Sequence, residues 1–150
     1  MWSNVIIGLL IPTGIIIYLF KKSQKLTLLL YPLGVTIAVG GCDWGDGYFW
    51  DVSPLNTQNP SLSSFPFNIG YFPLLATSFG YTKEKKITKT PLLIFIFTII
   101  TTLLELSAVL SGKVVYAHGW NIYFTFGIYI AGFIGTTCYI NALKKYGILE

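Results

Sequence analysis

The chain has 150 residues, enough for one domain, and 53% of them are apolar while only 11% are charged. That balance, with a mean hydropathy of +0.65, excludes an ordinary water-soluble globule and indicates insertion in a bilayer. The net charge of +4 is carried by lysines in short blocks beside apolar runs, and no arginine is present; membrane topology and anionic-lipid contact explain such blocks better than a nucleic-acid face does.

Five apolar runs follow in order, over about residues 3–20, 26–44, 65–81, 91–111 and 120–143, and each is read as a helix crossing a hydrocarbon core of about 30 Å. The first has no basic leader and no small-x-small cleavage site, so it is expected to remain as a span, kinked at Pro12. Lys21, Lys22 and Lys25 then form a link short enough to require antiparallel neighbours. The second run tolerates Pro32 and turns small and polar at its end, through Gly40, Gly41, Asp43, Trp44 and Asp46. Residues 45–64 carry Asp, Asn, Pro and Ser without helical period and are expected to form a loop.

The third run is the shortest and places Pro66, Gly70, Pro73, Thr77 and Gly80 on one face, where a neighbouring helix can approach closely. Thr125, Gly132, Gly135 and Thr136 of the fifth run are read in the same way, as helix-packing positions. Cys42 and Cys138 fall in different runs, toward opposite sides of the membrane, and no bridge between them is expected.

Orientation follows from charge. Three blocks, after the first, third and fifth runs, hold nine of the ten lysines, and with five spans all three lie on one side, which the positive-inside rule makes cytoplasmic. Trp2, Trp44, Trp50 and Trp120 all fall on the opposite side, near an interface where indoles are favoured. The expectation is an all-α polytopic bundle in the cell membrane, N-terminus outside and C-terminus cytoplasmic.

Glu105 sits inside the fourth run, roughly 20 Å along its axis from the cytoplasmic end. A charged side chain there costs on the order of 3 kcal/mol, so it must face the bundle interior, pair with a donor or stay protonated. Thr98, Thr101, Thr102 and Glu105 share about a third of the helix circumference, a polar stripe that faces protein or water rather than lipid. Tyr116, His118, Trp120 and Asn121 follow within the next turn and are the expected donors, and Asp43 and Asp46 can reach the same outer mouth. These seven residues, Glu105 among them, form the candidate binding pocket.

The stripe admits three readings: hydrogen bonds that merely tie the turn to the helix, a binding site for a cation, proton, lipid head group or small solute, or an intramembrane enzyme with Glu105 or Asp43 paired to His118. No nucleophile elbow, HExxH, P-loop or paired-cysteine motif is present, and no spacing defines a metal or cofactor site. The favoured expectation is a non-enzymatic binding or accessory subunit in contact with membrane lipids, with a membrane protein or a second copy as its possible partner; a small carrier or channel is the alternative.

Glu105, Gly112, Tyr116 and the turn His118-Gly119-Trp120-Asn121 resemble a pattern in a family of small multi-span membrane proteins of Gram-positive, often spore-forming bacteria. Residues 64–73, aromatic and proline-containing, are similar to the start of a middle span in that family. The resemblance implies a membrane helical fold and makes Glu105, Tyr116, Gly119, Trp120 and Asn121 its shared positions. It implies no activity.

Overall fold

The computed structural model describes residues 2–54, 59 and 61–149, with Asp43 as backbone only. Five long helices run antiparallel in sequence order: α1 (Trp2–Lys22), α2 (Gln24–Gly45), α3 (residues 61–84), α4 (Thr90–Leu110) and α5 (Ile122–Lys145). Four of them, all but α3, are long and apolar enough to cross a membrane. The helix α3 is as long but more polar, and it packs against all four others. It therefore presents buried Ser63, Ser64, Asn68 and Thr77 to neighbours rather than an apolar surface to its surroundings. It also starts four residues before the expected boundary and ends three beyond it, so the expected 45–64 loop is shorter than its composition suggested.

Two prolines set how the helices fit together. Proline has no N–H and its ring pushes away the carbonyl four residues earlier. Pro12 follows a π-helical turn over Ile6–Leu10, and Pro73 follows another over Phe67–Tyr71. The Pro12 distortion is thus an inserted turn, one of the recognised causes of a bent helix. Each freed carbonyl meets a neighbouring helix. The Ile69 carbonyl accepts the Tyr31 hydroxyl of α2 at 2.9 Å. The Gly8 carbonyl of α1 lies 2.1 Å from where a Gly70 Cβ would be, so it rests on the bare Cα of α3, a weak C–H···O contact. The same face of α3 brings Pro73 within 2.7 Å of a hypothetical Gly34 Cβ and admits Leu30 to the space above Gly80. The expected close-packing face of Pro66, Gly70, Pro73, Thr77 and Gly80 is buried throughout.

The fifth-run glycines do something else. A Cβ at Gly132 or Gly135 would meet nothing within 4 Å, so these positions leave space rather than close it, contrary to the packing role their size suggested. Clusters of large buried apolar side chains lie toward the lysine-bearing end. Leu26, Leu30, Ile140, Leu143 and Leu149 make one cluster there, and Phe79, Leu93 and Phe133 make a second, in which Phe79 and Phe133 lie 5.0 Å apart between ring centroids. At that end Lys83 donates to Asn141 at 2.9 Å and Lys144 pairs with Glu84 at 3.2 Å, joining the ends of α3 and α5.

At the opposite end the two connections pair with each other. Strands β1 (Trp50–Val52) and β2 (Val114–Tyr116) form an antiparallel ladder with Trp50 opposite Tyr116. The N-terminal turn is tied in as well: buried Asn4 donates to the carbonyls of Ser53 at 3.0 Å and Ser63 at 2.8 Å, and Lys113 donates to Ser3 at 2.9 Å. The β-ladder was not expected from the sequence, because three-residue strands carry no readable period.

Gly70→Ala must displace the Gly8 backbone and is expected to lower stability by about 1–3 kcal/mol, read as a loss of melting temperature in detergent. Gly14→Ala, with nothing within 4 Å of its Cβ position, should leave the melting temperature unchanged or raise it.

Candidate functional site

Above the Phe79–Phe133 cluster the bundle is hollow. A cavity of about 500 Å³ lies between α2, α3, α4 and α5 under the paired connections. Small residues in its lining leave it room: Ala38 and Gly41 of α2, Ala108 of α4 and Gly132 of α5. Phe133 stands at its floor, and Trp44, Trp50 and Trp120 close its roof. The roof is an aromatic cluster in which Trp50 and Trp120 have ring centroids 5.0 Å apart and Trp44 and Trp120 5.9 Å apart. Trp50 reaches this position because Gly45 has no side chain: a Cβ there would fall 2.0 Å from the indole. The cavity is open to the surroundings in part, and its lining includes Ile37 of α2 and Leu104 of α4, which are 47% and 50% exposed.

Glu105 lines this cavity and is held by three hydroxyls. Tyr116 donates to Oε1 at 2.6 Å, Thr125 to the same oxygen at 3.2 Å, and Tyr129 to Oε2 at 2.5 Å. Trp120 Nε1–H donates to Thr125 Oγ1 at 3.1 Å, so one chain of donors runs from the roof to the carboxylate. Tyr116 and Thr125 also bond each other at 2.9 Å, so the three hydroxyls and the carboxyl group form one connected network. Burial, and next the bond to Glu105, raise the Tyr116 phenol above the usual tyrosine range, which keeps it a donor. Tyr71 also lines the cavity, within electrostatic range of Glu105, and its hydroxyl has no hydrogen-bond partner among the described residues. Thr98 and Thr102, below Glu105 on the stripe, likewise have buried hydroxyls without a partner among the described residues.

The remaining candidates divide. Tyr116 and Trp120 join the Glu105 network, the second through Thr125. Asp46 lies at the end of α2 and accepts from Ser64, itself a cavity residue. His118 is not at the cavity: it stacks on Tyr48 with ring centroids 4.3 Å apart and donates from Nδ1 to the Tyr48 carbonyl at 2.6 Å. Asn121 caps α5 by accepting from the Tyr123 N–H at 3.0 Å, as its place before the helix favours. Neither donates to Glu105. The Asp43 side chain lies outside what is described.

Tyr129, Thr125 and Tyr71 are site residues that sequence reading missed. A signal was present: Thr125, Tyr129 and Gly132 recur at i, i+4 and i+7 on α5, the same interval that joins Thr98, Thr102 and Glu105 on α4. Among the described residues no three His, Cys, Asp or Glu stand together as a metal-ligand set. No protein-family model, curated protein or solved structure matches the chain.

Tyr129→Phe removes a charge-assisted donor and is expected to destabilise the protein by about 1–2 kcal/mol. Tyr123→Phe, at a residue that is 83% exposed, should cost nothing measurable. In a double-mutant cycle the Tyr129→Phe penalty should shrink when Glu105 is already Gln; equal penalties in both backgrounds would dissolve the proposed pairing.

Proposed function

We propose that the chain is a five-span protein of the cell membrane, N-terminus outside, whose role is to bind an amphipathic small molecule admitted sideways from the outer leaflet. The observation that carries this reading is the cavity of about 500 Å³ among α2, α3, α4 and α5, lined mostly by apolar side chains, with the hydroxyl-ringed Glu105 in its wall and Ser64, Ser107, Ser111 and Lys113 as further polar lining. Its volume is that of an ordinary small-molecule site. Half-exposed Ile37 and Leu104 in its lining support entry of an apolar body from lipid, while Glu105 and the free Tyr71 hydroxyl supply polar contacts that fix orientation.

The aromatic floor favours binding over conduction, since Phe79, Phe97 and Phe133 pack between the cavity and the lysine-bearing end. Catalysis has less support: Glu105 faces hydroxyls rather than an imidazole, and His118 is engaged by the Tyr48 carbonyl. The protein is accordingly a binding or accessory subunit, in the company of lipids and of a membrane partner or a second copy. The resemblance to small envelope proteins of Gram-positive bacteria is part of the same proposal and is consistent with it.

Native mass spectrometry of protein released from its own membranes should show one bound amphiphile. Ala108→Phe, which fills the cavity, should reduce its occupancy at least about tenfold with the melting temperature retained; an empty wild type, or equal occupancy in a folded Ala108→Phe, would refute the reading. Orientation is tested separately in a Cys42→Ser/Cys138→Ser background. Lys113→Cys should react with an impermeant maleimide on intact cells and Lys86→Cys only after permeabilisation; the reverse result would invert the topology.

A further inference from the structure

Glu105 is a half-buried acid whose hydrogen-bond partners are all neutral. Its hydrogen-bond partners are Tyr116, Thr125 and Tyr129, none of which carries a positive charge. Among the described residues no lysine or histidine lies within ion-pair distance of it. Lys113 lines the same cavity, but its ammonium donates to Ser3 at 2.9 Å rather than to Glu105. Hydroxyl donors stabilise a carboxylate locally but leave its net charge uncompensated in a low-dielectric setting, and such a group gains most from an opposite charge.

The walls narrow what that charge can be. A bare divalent ion takes six or more oxygen ligands, or a tetrahedral set of nitrogen and sulfur, and Glu105 belongs to no group of three His, Cys, Asp or Glu side chains among the described residues. The cavity instead presents apolar and aromatic surface. Trp44, Trp50 and Trp120 close its roof, and Tyr71 and Tyr129 stand beside the carboxylate. Aromatic faces attract a cation whose charge is spread over a weakly hydrated organic group, and the attraction grows when water is excluded.

We infer that the cavity selects a lipophilic organic cation, an ammonium or similar centre on an apolar body, with Glu105 as its counter-ion and the roof indoles and flanking tyrosines as its aromatic cage. This rests on the binding reading above and adds the sign of the ligand's charge. An anionic amphiphile is disfavoured because it would bring a second negative charge beside Glu105. A neutral one would fill the volume and leave the carboxylate uncompensated.

The test uses three probes with nearly the same body: tetraphenylphosphonium, tetraphenylborate and the neutral triphenylphosphine oxide. Equilibrium dialysis of each against purified full-length protein in detergent, with protein-free micelles as reference, measures binding of cation, anion and neutral molecule to wild type. Tetraphenylphosphonium should bind saturably and at least about tenfold more tightly than either of the others. Glu105→Gln should reduce its affinity by at least about tenfold, and Asp51→Asn, which removes a carboxylate outside the cavity, should not. If the three probes bind wild type alike, or tetraphenylborate binds best, the charge inference is overturned while the amphiphile reading stands. Binding of none of them, in protein that also carries no native amphiphile, overturns both. The comparison within wild type decides even if Glu105→Gln does not fold.

Discussion

A carboxylate set about 8 Å below the end of an apolar helix must be given donors, and giving them organises the hairpin end of this molecule. Tyr116 comes from the strand that follows α4, and Thr125 and Tyr129 come from successive turns of α5. To deliver Tyr116 the chain must turn at Gly112, which has a φ of +71°, and run back as β2. Once β2 is in place it pairs with β1, and that pairing draws the other long connection over the bundle. The roof, the cavity beneath it and the docking of the N-terminal turn on Ser53 and Ser63 are all linked to this one half-buried acid.

The bundle puts small residues to two opposite uses. On α3, Gly70 and Gly80 are filled by a neighbour: a carbonyl of α1 at the first and a leucine of α2 at the second. On α2 and α5, Gly41 and Gly132 are met by nothing within 4 Å and border the cavity. The same residue type thus brings backbones together in one place and keeps them apart in another. What decides is the partner opposite: the prolines of α1 and α3 leave carbonyls that need a close neighbour, whereas the α4 stripe opposite the cavity carries a carboxylate and hydroxyls that no flat apolar wall could satisfy.

Much of this was legible in the sequence, for physical reasons that also mark where reading stopped. Uninterrupted apolar runs located the helices, and the Pro66 to Gly80 face located the close packing on α3, because both depend on local composition and period. Glu105 stood out because a lone acid in such a run demands an explanation, and Tyr116 and Trp120 because they follow it closely. The ladder between Trp50 and Tyr116 joins residues far apart in sequence and leaves no local trace. Thr125 and Tyr129 escaped notice because a threonine or tyrosine in a membrane helix looks like packing until the acid opposite it is seen. Low hydropathy in α3 reflects its central place, since a helix enclosed by others needs no apolar face toward its surroundings.

Three of the four tryptophans, Trp44, Trp50 and Trp120, are gathered in the roof, and the fourth, Trp2, is 81% exposed on α1. Indoles this close exchange excitation with one another, and their emission colour follows the polarity around them. The protein therefore carries its own optical gauge at the one place where a molecule entering the hollow would displace water or shift a ring. A change of emission on filling or emptying the hollow would come almost entirely from that triad, with no label attached.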